Sequence, residues 1–246
     1  MKRLAWALLA LTFGAAPAVA SGCRDLDHGG NRYTVCEVDA GAEDLRLFLY
    51  RPDGTPWGQF SAVNAALRPE GQLAFAMNAG MYHDDRSPVG HYVENGEEIM
   101  RVVPNAGPGN FGLLPNGVFC IRDGRADVIE TLAFVDQAPA CRFATQSGPM
   151  LVIDGALHPR FLPDSTSRYI RNGVGTSADG QRVVFAISRN AVTFHDFGTL
   201  FRDELGLPNA LYFDGNISRL YAPDIGRNDP GFNMGPIVGV VVPSGS

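Results

Sequence analysis

The segment Thr145-Gln146-Ser147-Gly148-Pro149-Met150-Leu151 places a serine between a glutamine and a glycine, just ahead of an apolar run. Ser147, His195 and Asp214 are the residue types of an acyl-transfer triad, in which an imidazole takes the serine proton and a carboxylate orients the imidazole. The elbow such a serine needs is missing. A G-x-S-x-G turn has glycine two residues before the serine, where this chain has Thr145, and Pro149 obstructs the helix that follows a nucleophile of that kind. Two other roles stay open: a tight turn whose serine bonds local backbone, and a surface where Gln146, Ser147 and nearby amides meet a substrate.

Three further places carry usable groups. Asp214 ends the apolar run Ala210 to Phe213 and precedes Gly215-Asn216, which puts a carboxylate either at the lip of a sheet or in a hairpin turn. Arg168 and Arg171 in "SRYIRNGVG" are either solvated surface residues or an anion clamp. His83-Asp84-Asp85 is the one His-carboxylate cluster, and its polar setting before Ser87-Pro88 reads as a solvated loop. The five histidines show no metal-ligand spacing, so no metal site and no cofactor are expected, although a divalent cation held by scattered carboxylates would leave no trace in the sequence.

The chain as a whole restricts the chemistry. It has 246 residues and a formal charge of −6, which disfavours nonspecific nucleic-acid binding. Lys2 is the only lysine, so Schiff-base and P-loop lysine chemistry are excluded beyond it. Met1-Lys2-Arg3, the apolar stretch Leu4 to Phe13 and Ala18-Val19-Ala20 form an export signal over residues 1–20, leaving residues 21–246 as one domain in the periplasm or outside the cell. Val19 to Cys23 also fits a loose lipoprotein box, which would anchor the chain to a membrane through Cys23. Cys23, Cys36, Cys120 and Cys141 are an even set in an oxidising compartment, and proximity favours pairing Cys23 with Cys36 and Cys120 with Cys141.

Positioning falls to strands. Asn95-Gly96, Asp123-Gly124, Asp154-Gly155 and Asp179-Gly180 each separate short β-rich runs and read as hairpin turns. Further strands are expected at Tyr33 to Val38, Leu45 to Tyr50, Leu73 to Met77 and Ile237 to Val242. Helices are expected at Phe60 to Leu67 and at Asp196 to Leu205, the second with an apolar stripe, a capping box at Thr193 and Asp196, and a stop at Gly206. The fold class is α+β: a single domain with a mixed, largely antiparallel twisted β-sheet core and a few helices.

Taken together, "FAMNAGMY", "PNGVF", "TQSGPMLV", "RNGVGTSADG" and "ALYFDGNIS" resemble the phosphodiester glycosidase family from about Leu73 to Val242. The resemblance departs from the family pattern at Ala79 and Asn216, where glycines are usual. It implies an exported hydrolase that cleaves the glycosidic bond of a sugar-1-phosphodiester, a small molecule or a glycan. The alternatives are a noncatalytic phosphoglycan-binding module and a phosphodiesterase cutting at phosphorus. Expelling a phosphate monoester, whose second pKa is about 6, needs little general-acid help. It needs an anion clamp and a carboxylate that stabilises the sugar carbon or activates water. On this basis Asp214 supplies the carboxylate, Arg171 the clamp and His195 an acid/base or donor role, while Asn78, Asn116, Gln146, Ser147 and Gly148 line the substrate.

Overall fold

The computed structural model describes residues 22–244. The export signal expected at residues 1–20 lies outside them. Strands dominate, in three sheets. The seven-stranded sheet runs in the spatial order Gly22–His28, Asn31–Asp39, Arg182–Ser188, Asn172–Thr176, Asn209–Asp214, Met150–Ile153, Ala156–Leu157. One five-stranded sheet runs Arg227–Asn228, Leu220–Ala222, Gly71–Asn78, Ile237–Pro243, Asp44–Phe48, and the other Glu97–Met100, Tyr92–Glu94, Phe143–Ser147, Gly117–Arg122, Arg125–Glu130. Every pairing between these strands is antiparallel.

All four expected hairpins form: Asn95-Gly96, Asp123-Gly124 and Asp154-Gly155 are two-residue loops and Asp179-Gly180 lies in the longer loop between Thr176 and Arg182, with the glycine at positive φ in each. A fifth, at Gly29-Gly30, joins the first two strands and brings Cys23 opposite Cys36. Those cysteines are disulfide-bonded, as are Cys120 and Cys141, which matches the expected pairing. With its sulfur in the first disulfide, Cys23 has none left for a lipid thioether.

The sheets meet in a core of buried aromatic rings. Phe185 and Phe213 come from the seven-stranded sheet, Phe75 and Phe119 from the other two. Phe75 and Phe185 lie 5.3 Å apart, Phe119 and Phe185 5.7 Å, and Phe119 and Phe213 6.4 Å. Strand alternation sends Leu211 and Phe213 into this core and turns Ala210 and Tyr212 to the opposite face. A helix packs on that face.

This helix starts at Phe194, two residues before the expected start, and runs to Thr199 before widening into a π-helical turn over Leu200–Glu204. The capping box forms as expected, with Asp196 N–H donating to Thr193 Oγ1 and Thr193 N–H donating to Asp196. The helix Phe60–Leu67 has the expected bounds. A third helix, Thr131–Gln137, has Glu130 at its N-cap rather than Ser, Thr, Asp or Asn, and the Glu130 carboxylate caps the Leu132 and Ala133 amides.

Glu94 ends its strand with Oε2 accepting from Leu49 N–H and from the Tyr92 hydroxyl, both at 3.0 Å. Burial pushes its pKa up to about 7. The folded state therefore keeps this proton to higher pH than the unfolded chain, and the carboxyl's contribution to stability fades as pH rises from about 4.5 to about 7. Glu94→Gln, which keeps both hydrogen-bonding functions without the charge, is expected to exceed the parent protein in unfolding free energy by on the order of 2 kcal/mol at pH 8. In urea titrations the gap should close toward pH 4. A gap independent of pH would contradict the assignment.

Candidate active site

Asp214 ends the strand Asn209–Asp214 on the same face as Tyr212. The chain then folds back at once, and Asp214 Oδ1 accepts from Gly215 N–H at 2.6 Å and Asn216 N–H at 2.9 Å. Burial raises the carboxyl's pKa, and the amides of Asn216, Gly215 and Ile217 partly oppose the rise. The Ser218 hydroxyl donates to Asp214 O at 3.0 Å and stands 3.1 Å from Ile170 O, closing the turn against the segment that carries Arg171.

Arg171 is the largest fully buried side chain, 1% exposed. Its Nε–H donates to Val192 O at 2.9 Å and its Nη2 to Ser167 O at 3.1 Å, while Nη1 is buried with no hydrogen-bond partner. The guanidinium sits 3.6 Å from the centre of the Phe194 ring and 5.4 Å from those of Tyr169 and Tyr212. Three ring faces attract the cation but do not neutralise it. Desolvation pulls its pKa below the usual arginine value, with the nearby Tyr212, Tyr169 and Asp196 opposing.

Arg171 and Asp214 line one cavity of about 550 Å³, with Tyr82, Phe111, Tyr169, Tyr212, Asn110 and Asn216 among its other walls. The cavity thus brings a buried, incompletely partnered cation and a desolvated carboxylate to the same small volume. Such a pairing can hold an anion at the cation and stabilise positive charge or take a proton at the carboxylate.

The remaining residues expected at the site stand behind it. Asn78 is buried, its amide paired with that of Asn172, and its Oδ1 accepts from Arg219 N–H at 2.9 Å. Asn172 Oδ1 in turn accepts from Asp214 N–H at 3.2 Å, so the pair supports the Asp214 turn from below. The Asn116 amide holds Phe111 O and accepts from Thr131 Oγ1. Gln146 Oε1 accepts from His91 and Val103 N–H, and its Nε2 donates to Val103 O and Thr131 Oγ1. The Ser147 hydroxyl donates to Phe213 O at 2.8 Å in a fully buried position. A Cβ on Gly148 would fall 2.5 Å from that of Asn116, so this glycine permits close packing. None of these five residues, expected to line the substrate, is on the cavity wall, and the side-chain polar groups of Asn78, Asn116, Gln146 and Ser147 are buried and engaged within the protein. His195 lies partly buried on the helix Phe194–Thr199 and is not on the cavity wall. Ser147, His195 and Asp214 therefore make no triad. Arg168 is exposed and pairs with Asp196 at 3.2 Å, and His83-Asp84-Asp85 is exposed, as a solvated loop should be.

A model of the phosphodiester glycosidase family matches residues 71–242. The chain belongs to that family. Uncharacterized protein YigE of Escherichia coli (strain K12) is 34% identical over 221 residues, 90% of this chain and 85% of that protein. Two solved structures share the fold at 13% sequence identity. The catalytic domain of zebrafish N-acetylglucosamine-1-phosphodiester alpha-N-acetylglucosaminidase, auto-inhibited by its pro-peptide, superposes with a TM-score of 0.63 over 89% of this chain and 81% of its own. A hypothetical protein from Synechocystis gives 0.59 over 89% of this chain, which spans 61% of that one. Of the two departures from the family's glycine pattern, Ala79 is buried in the main core, whereas Asn216 stands on the cavity wall beside Asp214.

Asn78→Ala strips Asn172 and the Arg219 amide of a buried partner. A loss of about 2 kcal/mol in unfolding free energy is expected from chemical denaturation. A loss below about 0.5 kcal/mol would mean that the amide pair does not brace the two sheets.

Proposed function

We propose that the protein hydrolyses the glycosidic bond of a sugar-1-phosphodiester. The observation that carries this reading is the shared cavity of Arg171 and Asp214. Arg171 holds the phosphate, and Nη1 is the donor without a protein acceptor. Water adds to the anomeric carbon as the bond from that carbon to the phosphate oxygen breaks, and the phosphate monoester departs as an anion. Asp214 stabilises positive charge on the sugar carbon or accepts the proton from water. Family membership supports the reaction class, and the two disulfides support an exported protein in an oxidising compartment.

Asp214→Asn is expected to reduce turnover of a sugar-1-phosphodiester about a hundredfold or more while the protein stays folded. Near-normal turnover in that variant would remove Asp214 from the chemistry. Because burial raises the Asp214 pKa, the acid limb of kcat/KM should fall at a higher pH than an ordinary aspartate would give, and should be absent from the residual activity of Asp214→Asn. Hydrolysis in heavy-oxygen water assigns the bond: label in the sugar is expected. Label in the phosphate would make the protein a phosphodiesterase, and binding without turnover a phosphoglycan-binding module.

A further inference from the structure

We infer that Tyr212 is an anion-contacting and positioning residue of this site, its hydroxyl fixing Arg171 against the Asp214 turn and donating to the bound phosphate. The inference rests on the phosphodiester reading above and names a residue that reading does not use. Tyr212 lies two residues before Asp214 on one strand, so both point to the same face. It lines the cavity although its side chain is almost wholly buried. Phe194 meets its ring almost perpendicularly at 4.8 Å between centroids, and a face of Phe194 carries the Arg171 guanidinium. A Cβ on Gly215 would fall 2.1 Å from the Tyr212 hydroxyl oxygen, so the phenol packs directly against the backbone that folds around the Asp214 carboxylate. One side chain thus touches both halves of the site.

The direction of its hydrogen bonds follows from donor chemistry. The Arg171 guanidinium stands 5.4 Å from the centre of the Tyr212 ring, and Asn110 shares the cavity wall with both. A guanidinium only donates, so in a hydrogen bond with Arg171 the phenol oxygen is the acceptor. Its own proton is left for a second acceptor: the Asn110 amide oxygen, or an oxygen of a bound anion. Burial holds the phenol far above its ordinary pKa, so it remains a neutral donor at physiological pH. A neutral donor beside a single cation suits a phosphate because it adds a hydrogen bond without further charge in a site that already contains Asp214.

Tyr212→Phe removes only the oxygen and keeps the ring packed on Phe194. The expected result is a weakening of inorganic phosphate binding by about tenfold, read by calorimetry, together with a fall in kcat larger than the rise in KM for a sugar-1-phosphodiester. A phosphate affinity within about twofold of the parent, in a variant with unchanged melting, overturns the role of Tyr212 and leaves the phosphodiester reading intact. Absence of both phosphate binding and turnover in the parent protein would instead defeat that reading, and this inference with it. If the variant does not fold, a crystal structure of the parent protein with phosphate decides. A phosphate oxygen about 2.7 Å from the Tyr212 hydroxyl is expected, and one beyond about 4 Å overturns the inference.

Discussion

A guanidinium held away from water without a carboxylate beside it is the constraint around which this molecule is arranged. Burying a cation is costly, and the structure offsets that cost in parts: two backbone carbonyls, three aromatic faces and the field of Asp196 at longer range. None of these cancels the charge. Phe194 opens a helix whose capping box sets its position, so the helix start, the ring and the cation form one unit. The carboxylate that could neutralise Arg171 lines the same cavity without an ion pair to it, and backbone amides hold it.

Rigidity comes from below the cavity. Asn78 belongs to one five-stranded sheet and Asn172 to the seven-stranded sheet, and their paired amides join the two immediately under Asp214. Ser147 does the same from the third sheet, donating to Phe213 O of the seven-stranded sheet, while Gln146 and Asn116 hold the loop residues Val103 and Phe111. Buried, hydrogen-bonded amides favour a single arrangement, and here Asn172 ties that arrangement to the backbone of Asp214.

Much of this was legible in the sequence. Asx-Gly turns marked the hairpins because their backbone requirement is local, and the apolar stripe with its capping box marked the last long helix. Arg171 and Asp214 were legible as a cation in an acidic chain and a carboxylate at the end of an apolar strand. The burial of the asparagine, glutamine and serine groups was not, since a polar residue near a turn reads the same whether it faces a ligand or a neighbouring strand. Tyr212 was hidden for a related reason: inside the run Ala210 to Phe213 it looks like one more core residue, and only the alternation that turns Phe213 inward reveals that Tyr212 shares a face with Asp214. The Glu130 cap escaped notice because glutamate rarely serves there.

The strand order also bears on when the molecule can assemble. Ile237–Pro243 lies between Gly71–Asn78 and Asp44–Phe48, so the last of the described strands is an interior member of its sheet. Until residues 237–243 are synthesised, two early strands each present an unpaired edge, and the aromatic core beneath them has no complete wall. Folding of this sheet must wait until residues 237–243 have been made, and pairings so remote in sequence make it slow.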